Sequence, residues 1–174
     1  MTVKIEKSKR DRGGFRLTTE LAVAAPLEEV FDFFADAFQL ETITPPWLHF
    51  TVQTQRPIAM RQGTEIDYKL RLHGLPIRWR STISLWDPPC QFVDEQVQGP
   101  YRHWRHRHTF ERVEGGTRVC DTVDYAVPLG FIMHRLLVRR DLTTIFKYRR
   151  DALERRFAPL ANDQVAATGA EVRR

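Results

Sequence analysis

The chain has 174 residues, 42% hydrophobic and 28% charged, a balance that fits one globular domain with a core of its own. No apolar run nears the ~20 residues of a membrane-spanning helix, and the basic opening MTVKIEKSKRDRGG lacks the apolar stretch of a secretory signal. The net charge of +5 admits an anionic partner, but arginine is spread along the predicted elements rather than clustered, so no nucleic acid is expected.

Residues 1–14 read as a flexible polar leader. Phe15–Val23 (FRLTTELAV) alternates and predicts a strand. Pro26 at a first helical position, with Glu28 and Glu29 in the first turn, opens a helix whose apolar residues are Val30, Phe33, Phe34 and Phe38. QLETITPPWL predicts a second short helical or irregular piece, broken at Pro45-Pro46.

From Leu48 the period is two. Strands are predicted at Leu48–Gln55, Thr64–Leu72, Ile77–Trp86, Phe92–Gln98, Arg102–Arg112 and Thr117–Val127, with turns at His73–Pro76, Gly99-Pro100 and Gly115-Gly116. In Ile77–Trp86, Ile77, Trp79, Ile83 and Leu85 share the apolar face. Such alternation predicts an antiparallel sheet packed on one side and wet on the other. Phe131–Phe157 predicts a long helix with Val138, Leu142, Ile145, Phe146, Leu153 and Phe157 on one stripe. Residues 159–174 read as a disordered tail, which leaves one domain over 15–158. Cys90 and Cys120 make no disulfide framework, and reduced thiols in a cytoplasmic setting are expected.

The predicted strand Arg102–Arg112 carries the most chemistry. Trp104, His106, His108 and Phe110 share one face, so two imidazoles travel inward with two aromatic rings. Polar, titratable groups on an apolar sheet face predict a lined cavity. A two-residue turn at Gly115-Gly116 pairs Phe110 with Asp121, His108 with Val123 and His106 with Tyr125. Asp121 then lies diagonal to His108, and Tyr125 beside His106. These four residues form either a binding or catalytic cluster or a structural hydrogen-bond network of neutral imidazoles.

Arg149 interrupts the apolar stripe of the last helix. A guanidinium there needs a carboxylate such as Asp121, Asp94 or Glu95, or else an anionic ligand. The register of strand 92–98 decides whether Asp94 or Glu95 faces inward, and both remain open. His106 and His108 with Asp121 offer zinc-ligand types, but no cysteine shares their face and no recognised metal spacing is present, so neither metal nor cofactor is expected. Ser81 has no nucleophile-elbow context. Tyr68, Trp79, Trp104 and Phe146 are candidate cavity-lining aromatics, and Trp47, in the Pro-Pro-Trp segment, is a candidate gate.

The order of strand, helix pair, six antiparallel strands and long helix resembles the helix-grip layout. The segments Ala25–Phe31, Leu40–Leu48, Gly63–Tyr68, Trp86–Pro89, Phe92–Trp104 and Phe146–Arg149 resemble the START/birch-pollen-allergen (SRPBCC) superfamily, in its polyketide cyclase/dehydrase-like bacterial ligand-binding subgroup. The resemblance implies an α+β fold: a curved antiparallel sheet of about seven strands wrapped around a long C-terminal helix, with two short helices after the first strand. It also implies a hydrophobic cavity between sheet and helix.

The expected function is binding of a small hydrophobic or amphipathic molecule (lipid, quinone or polyketide-like) by a monomer or homodimer. Trp47, Tyr68, Trp79, Trp104, His106, His108, Asp121, Tyr125, Phe146 and Arg149 are the candidate ligand-binding residues. The alternative is a cyclase- or dehydratase-like enzyme in which His106, His108 or Asp121 performs acid–base chemistry. A third reading, a basic interaction module, predicts salt-sensitive binding to nucleic acid or anionic lipid.

Overall fold

The computed structural model describes residues 3–8 and 13–160. It is an α+β helix-grip fold: one antiparallel sheet with a long C-terminal helix on its inner face. The sheet has eight strands: β1 (Lys4–Lys7), β2 (Phe15–Val23), β3 (Thr51–Val52), β4 (Glu65–Leu72), β5 (Leu75–Asp87), β6 (Gln91–Gln98), β7 (His103–Val113) and β8 (Gly116–Ala126). Their order across the sheet is β1-β2-β8-β7-β6-β5-β4-β3.

The eighth strand is an addition to the sequence expectation. Lys4–Lys7, within the leader read as flexible, pairs antiparallel with β2 through Lys4 to Thr18 and Lys7 to Phe15. At the other end, Val23 bridges Pro159, and the Leu160 N–H donates to the Ala22 carbonyl at 3.0 Å, so ordered pairing passes residue 158. The tail from 161 onward lies outside the described residues.

Two short helices follow β2, α1 (Leu27–Ala35) and α2 (Gln39–Thr42). Helix α1 turns Leu27, Val30, Phe31 and Phe34 onto the sheet. The C-terminal helix runs through α3 (Gly130–Met133), one π turn (His134–Val138) and α4 (Arg139–Phe157). The apolar stripe read from the sequence is the packed face: Leu142, Phe146, Leu153 and Phe157 are buried.

The β7–β8 hairpin corrects the expected register. Its two loop residues are Glu114 and Gly115, because Val113 pairs with Gly116. Gly115 takes the left-handed conformation at φ 78°, which glycine adopts without penalty. Gly116 belongs to β8, where a Cβ would lie 2.0 Å from the Val23 carbonyl oxygen. Every expected cross-strand partner therefore moves by two residues. His108 faces Asp121, His106 faces Val123, Trp104 faces Tyr125 and Phe110 faces Val119.

A bulge makes the second correction. Ile83 pairs with Asp94 but Leu85 pairs with Val93, so Ser84 is the extra residue and the alternation inverts beyond it. Trp86, not Leu85, packs inward against Phe31 and Phe92. The pairing of Asp94 with His106 settles the open register: Asp94 shares the histidines' face, while Glu95 bonds Ser84 and Arg105 on the other.

Candidate functional site

The inner face carries two apolar clusters. One gathers Val30, Phe31, Phe34, Phe92, Phe110, Leu153 and Phe157; the other gathers Phe15, Leu17, Trp104, Val123, Tyr125, Leu142 and Phe146. Strand β7 crosses from one to the other, with Phe110 in the first and Trp104 in the second. His106 and His108 occupy the seam between them. His108 stacks on Phe92 with ring centroids 4.3 Å apart, and His106 meets Phe146 at 5.8 Å.

Around this seam four strands contribute polar side chains. His106 Nε2 lies 3.0 Å from Asp121 Oδ1, and His108 Nδ1 approaches the same oxygen to 2.8 Å, off the line of a well-aligned hydrogen bond. The Thr19 hydroxyl on β2 donates to Asp121 Oδ2 at 3.3 Å. On the cavity side, His108 Nε2 is 3.4 Å and His106 Nδ1 3.7 Å from Asp94 Oδ2. Two imidazoles are thus bracketed by two carboxylates.

The direction of each titration shift follows from this bracket. Burial alone would lower His108, but contacts from Asp121 and Asp94 override it and hold the imidazole above its ordinary value. His106 goes the other way, because burial and the neighbouring His108 charge outweigh Asp121. Burial would raise Asp121, yet the Arg149 charge and both imidazoles hold it well below the usual carboxylate range. Asp94 is also lowered, its burial outweighed by His108, His106 and Arg149. The two carboxylates are thus offset by Arg149 and by the His108 imidazole, which they bias toward its charged form.

Arg149 enters this field without a direct partner. Its guanidinium lies 5.4 Å from the Phe34 ring centroid and 6.0 Å from that of Phe146. Among the described residues its Nε is buried with no hydrogen-bond partner, and no carboxylate forms an ion pair with it. Of the two partners the sequence left open for Arg149, the carboxylate is not in contact with it among the described residues; Arg149 acts on Asp121 and Asp94 through its charge.

A cavity of about 210 Å³ opens in front of the cluster. Asp94, His106, His108 and Arg149 are among its polar residues, and Tyr68, Trp79, Trp104 and Phe146 are among its apolar walls. Ser81 also lines it, accepting a 2.9 Å bond from the Trp79 indole N–H. Three sequence candidates lie elsewhere. Asp121 sits behind the histidines, and Tyr125 is buried in the second cluster with its hydroxyl 3.0 Å from His134 Nε2. Trp47 is 53% exposed and sets its ring against Tyr148, outside the cavity lining.

Residues 23–154 match the family described as polyketide cyclase / dehydrase and lipid transport. The chain belongs to this family. Solved structures of the same fold include the Zhui aromatase/cyclase from Streptomyces sp. R1128, at 17% identity over 83% of this chain and 97% of that one, with a TM-score of 0.60. The Thermus thermophilus protein TTHA0849 is 21% identical over 89% of this chain and 99% of its own, also at 0.60. Ara h 8.0201 is 16% identical over 81% and 99%, at 0.58. No curated protein matches the sequence.

In this polyketide cyclase/dehydrase family member, sequence reasoning missed Thr19 and left Asp94 undecided. Thr19 carried a signal: it shares the inward parity of Leu17 and Leu21 on β2, a polar break like that of the histidines on β7. Asp94, His106 and His108 also present metal-ligand atoms within 4.8 Å of one another, so the aspartate on the open side is Asp94 rather than the expected Asp121. A divalent ion there would sit in the field of the Arg149 guanidinium, which disfavours it.

Proposed function

We propose that this protein binds one small hydrophobic or amphipathic molecule, lipid-, quinone- or polyketide-like, with a polar or anionic oxygen turned toward Arg149, His106 and His108. The observation that carries this reading is the buried, unpartnered Arg149 Nε beside an apolar cavity. A buried guanidinium donor without an acceptor is costly, and a ligand oxygen would relieve that cost. At about 210 Å³ the cavity lies below the range of drug-sized sites, which favours a compact ligand. Tyr68, Trp79, Trp104 and Phe146 would bury its apolar body. Asp121 and Thr19 would hold the histidines without touching it. Cys90 and Cys120 are free thiols, in keeping with the reducing cytoplasm proposed.

The test is calorimetric titration with 2-naphthoate and with the neutral 2-naphthol. The expected result is binding of both, with Arg149→Met weakening naphthoate by about tenfold or more and naphthol little. No binding of either, or an unchanged preference between them, overturns the reading.

A second reading is acid–base catalysis on a polyketide-like substrate, and the opposed shifts of His106 and His108 favour it. Neighbouring groups driven apart supply a base and an acid at one pH. His106, donating through Nε2 to Asp121, would keep Nδ1 free to take a proton alpha to a carbonyl. His108 would protonate a departing β-hydroxyl, which leaves as water as the double bond forms. In the double variant His106→Ala, His108→Ala, lost turnover with retained affinity marks an enzyme. Lost affinity, with no turnover in the parent protein, marks a binder.

A further inference from the structure

Five of the eight exposed large hydrophobic side chains among the described residues fall within nine positions: Leu129, Phe131, Ile132, Leu136 and Leu137. Their fractional exposures run from 43% for Leu137 to 78% for Leu129. The segment is not a frayed end. Its inner face is pinned by His134, which is buried, stacks on Phe15 at 3.4 Å and meets the Tyr125 hydroxyl. Met133 and Val138 pack on the same cluster. The π turn keeps His134 and Val138 inward and leaves Arg135, Leu136 and Leu137 outside. Leu129 itself stands in the left-handed region at φ 59°, a conformation that costs a branched apolar residue free energy.

The charge within this segment is of one sign. Residues 128–140 contain no aspartate or glutamate, and Arg135, Arg139 and Arg140 are all exposed. From β1, Lys7 places its Nζ 5.6 Å from the Phe131 ring. The first carboxylate beyond is Asp141, which His73 Nε2 approaches to 2.9 Å. That contact ties the β4–β5 turn, with Leu75 69% exposed, to the start of α4. Leu72 and Asp141 both line the cavity, so the apolar and basic surface adjoins its rim.

We propose that residues 128–140 form a docking surface for an anionic lipid bilayer. Leu129, Phe131, Ile132 and Leu136 enter the headgroup–acyl boundary while Arg135, Arg139, Arg140 and Lys7 pair with lipid phosphates. Exposed apolar side chains interleaved with Arg135, Arg139 and Arg140 and joined by Lys7 fit that partner: the hydrocarbon takes the former and the negative surface takes the latter. A second copy of this chain fits less well, because a self-complementary contact would set these cations against their own kind. The surface is independent of the cavity's contents, but it would bring the cavity rim to the membrane.

The experiment is vesicle co-sedimentation of the full chain with phosphatidylcholine alone and with about one-third phosphatidylglycerol added. Binding to the anionic vesicles is expected, weakening steeply with salt and falling at least about tenfold in the triple variant Leu129→Ser, Ile132→Ser, Leu136→Ser. All three side chains are exposed, so the fold tolerates the change; circular dichroism verifies this. Arg135→Gln with Arg139→Gln and Arg140→Gln reduces both the binding and its salt dependence. Absence of binding to anionic vesicles overturns the proposal. So does binding untouched by the serine variant, which reduces the effect to net charge, or a dimer by light scattering that the serine variant dissolves.

Discussion

His108 and Asp121 stand directly opposite each other on β7 and β8, with Nδ1 2.8 Å from Oδ1, and the same oxygen takes the His106 Nε2 contact at 3.0 Å. One carboxylate oxygen therefore orients both imidazoles from behind, leaving their other nitrogens toward Asp94 and the cavity.

Removing that carboxylate charge should be severe. Asp121→Asn leaves His108 and Arg149 facing Asp94 alone, and loss of one member of a buried charge network costs about 3–5 kcal/mol. Thr19→Val removes only a 3.3 Å hydroxyl contact and should cost about 1 kcal/mol. Urea unfolding midpoints compare the two, and equal losses would contradict the role given to Asp121.

The His108 proton links stability to pH. Its folded value is raised above 6.5, so its contribution is complete below pH 6.5 and is lost as pH rises through the folded value. That loss can reach about 1.4 kcal/mol per pH unit. His106 and His134 are lowered, so they disfavour folding where the unfolded chain would hold their protons, below 6.5. Asp94 and Asp121, also lowered, withdraw their stabilisation at more acid pH. His108→Gln should flatten the alkaline decline and leave the acid decline, which denaturant midpoints across pH 5 to about 9 would reveal.

The hairpin register gives a structural prediction. Gly116→Ala forces a Cβ against the Val23 carbonyl, a backbone atom that cannot swing away, and should cost about 1–3 kcal/mol or more. Gly115→Ala meets a positive φ and should cost about 1 kcal/mol. The reverse order in thermal denaturation would restore the Gly115-Gly116 turn.

Trp47→Ala should leave naphthoate affinity within about twofold, since the indole lies outside the cavity lining and its partner is Tyr148. The stability loss should stay within the ~0.5–1.5 kcal/mol of an aromatic pair plus its modest burial. A large change in affinity or exchange rate would return Trp47 to the role of gate.

Periodicity is a local property, and it carried the architecture. Alternation marked β2 and β4 to β8, helical spacing marked the stripe from Leu142 to Phe157, and parity alone sent His106 and His108 inward with Trp104 and Phe110. Partnership is not local. Whether Gly115-Gly116 or Glu114-Gly115 makes the turn depends on the Val23 carbonyl, which lies on a different strand, and that two-residue shift turned Asp121 from a diagonal neighbour into the direct partner of His108. The bulge at Ser84 likewise reversed a face that alternation had assigned. Thr19 joins Asp121 only because β2 pairs with β8, and Arg149 acts on the cluster through its charge, without an ion pair, from its place on α4. The segment 128–140 holds three arginines and the apolar residues Leu129, Phe131, Ile132, Leu136 and Leu137 in sequence; only the fold decided that these turn outward while His134 turns in, and that Lys7, from a strand at the other end of the chain, meets Phe131.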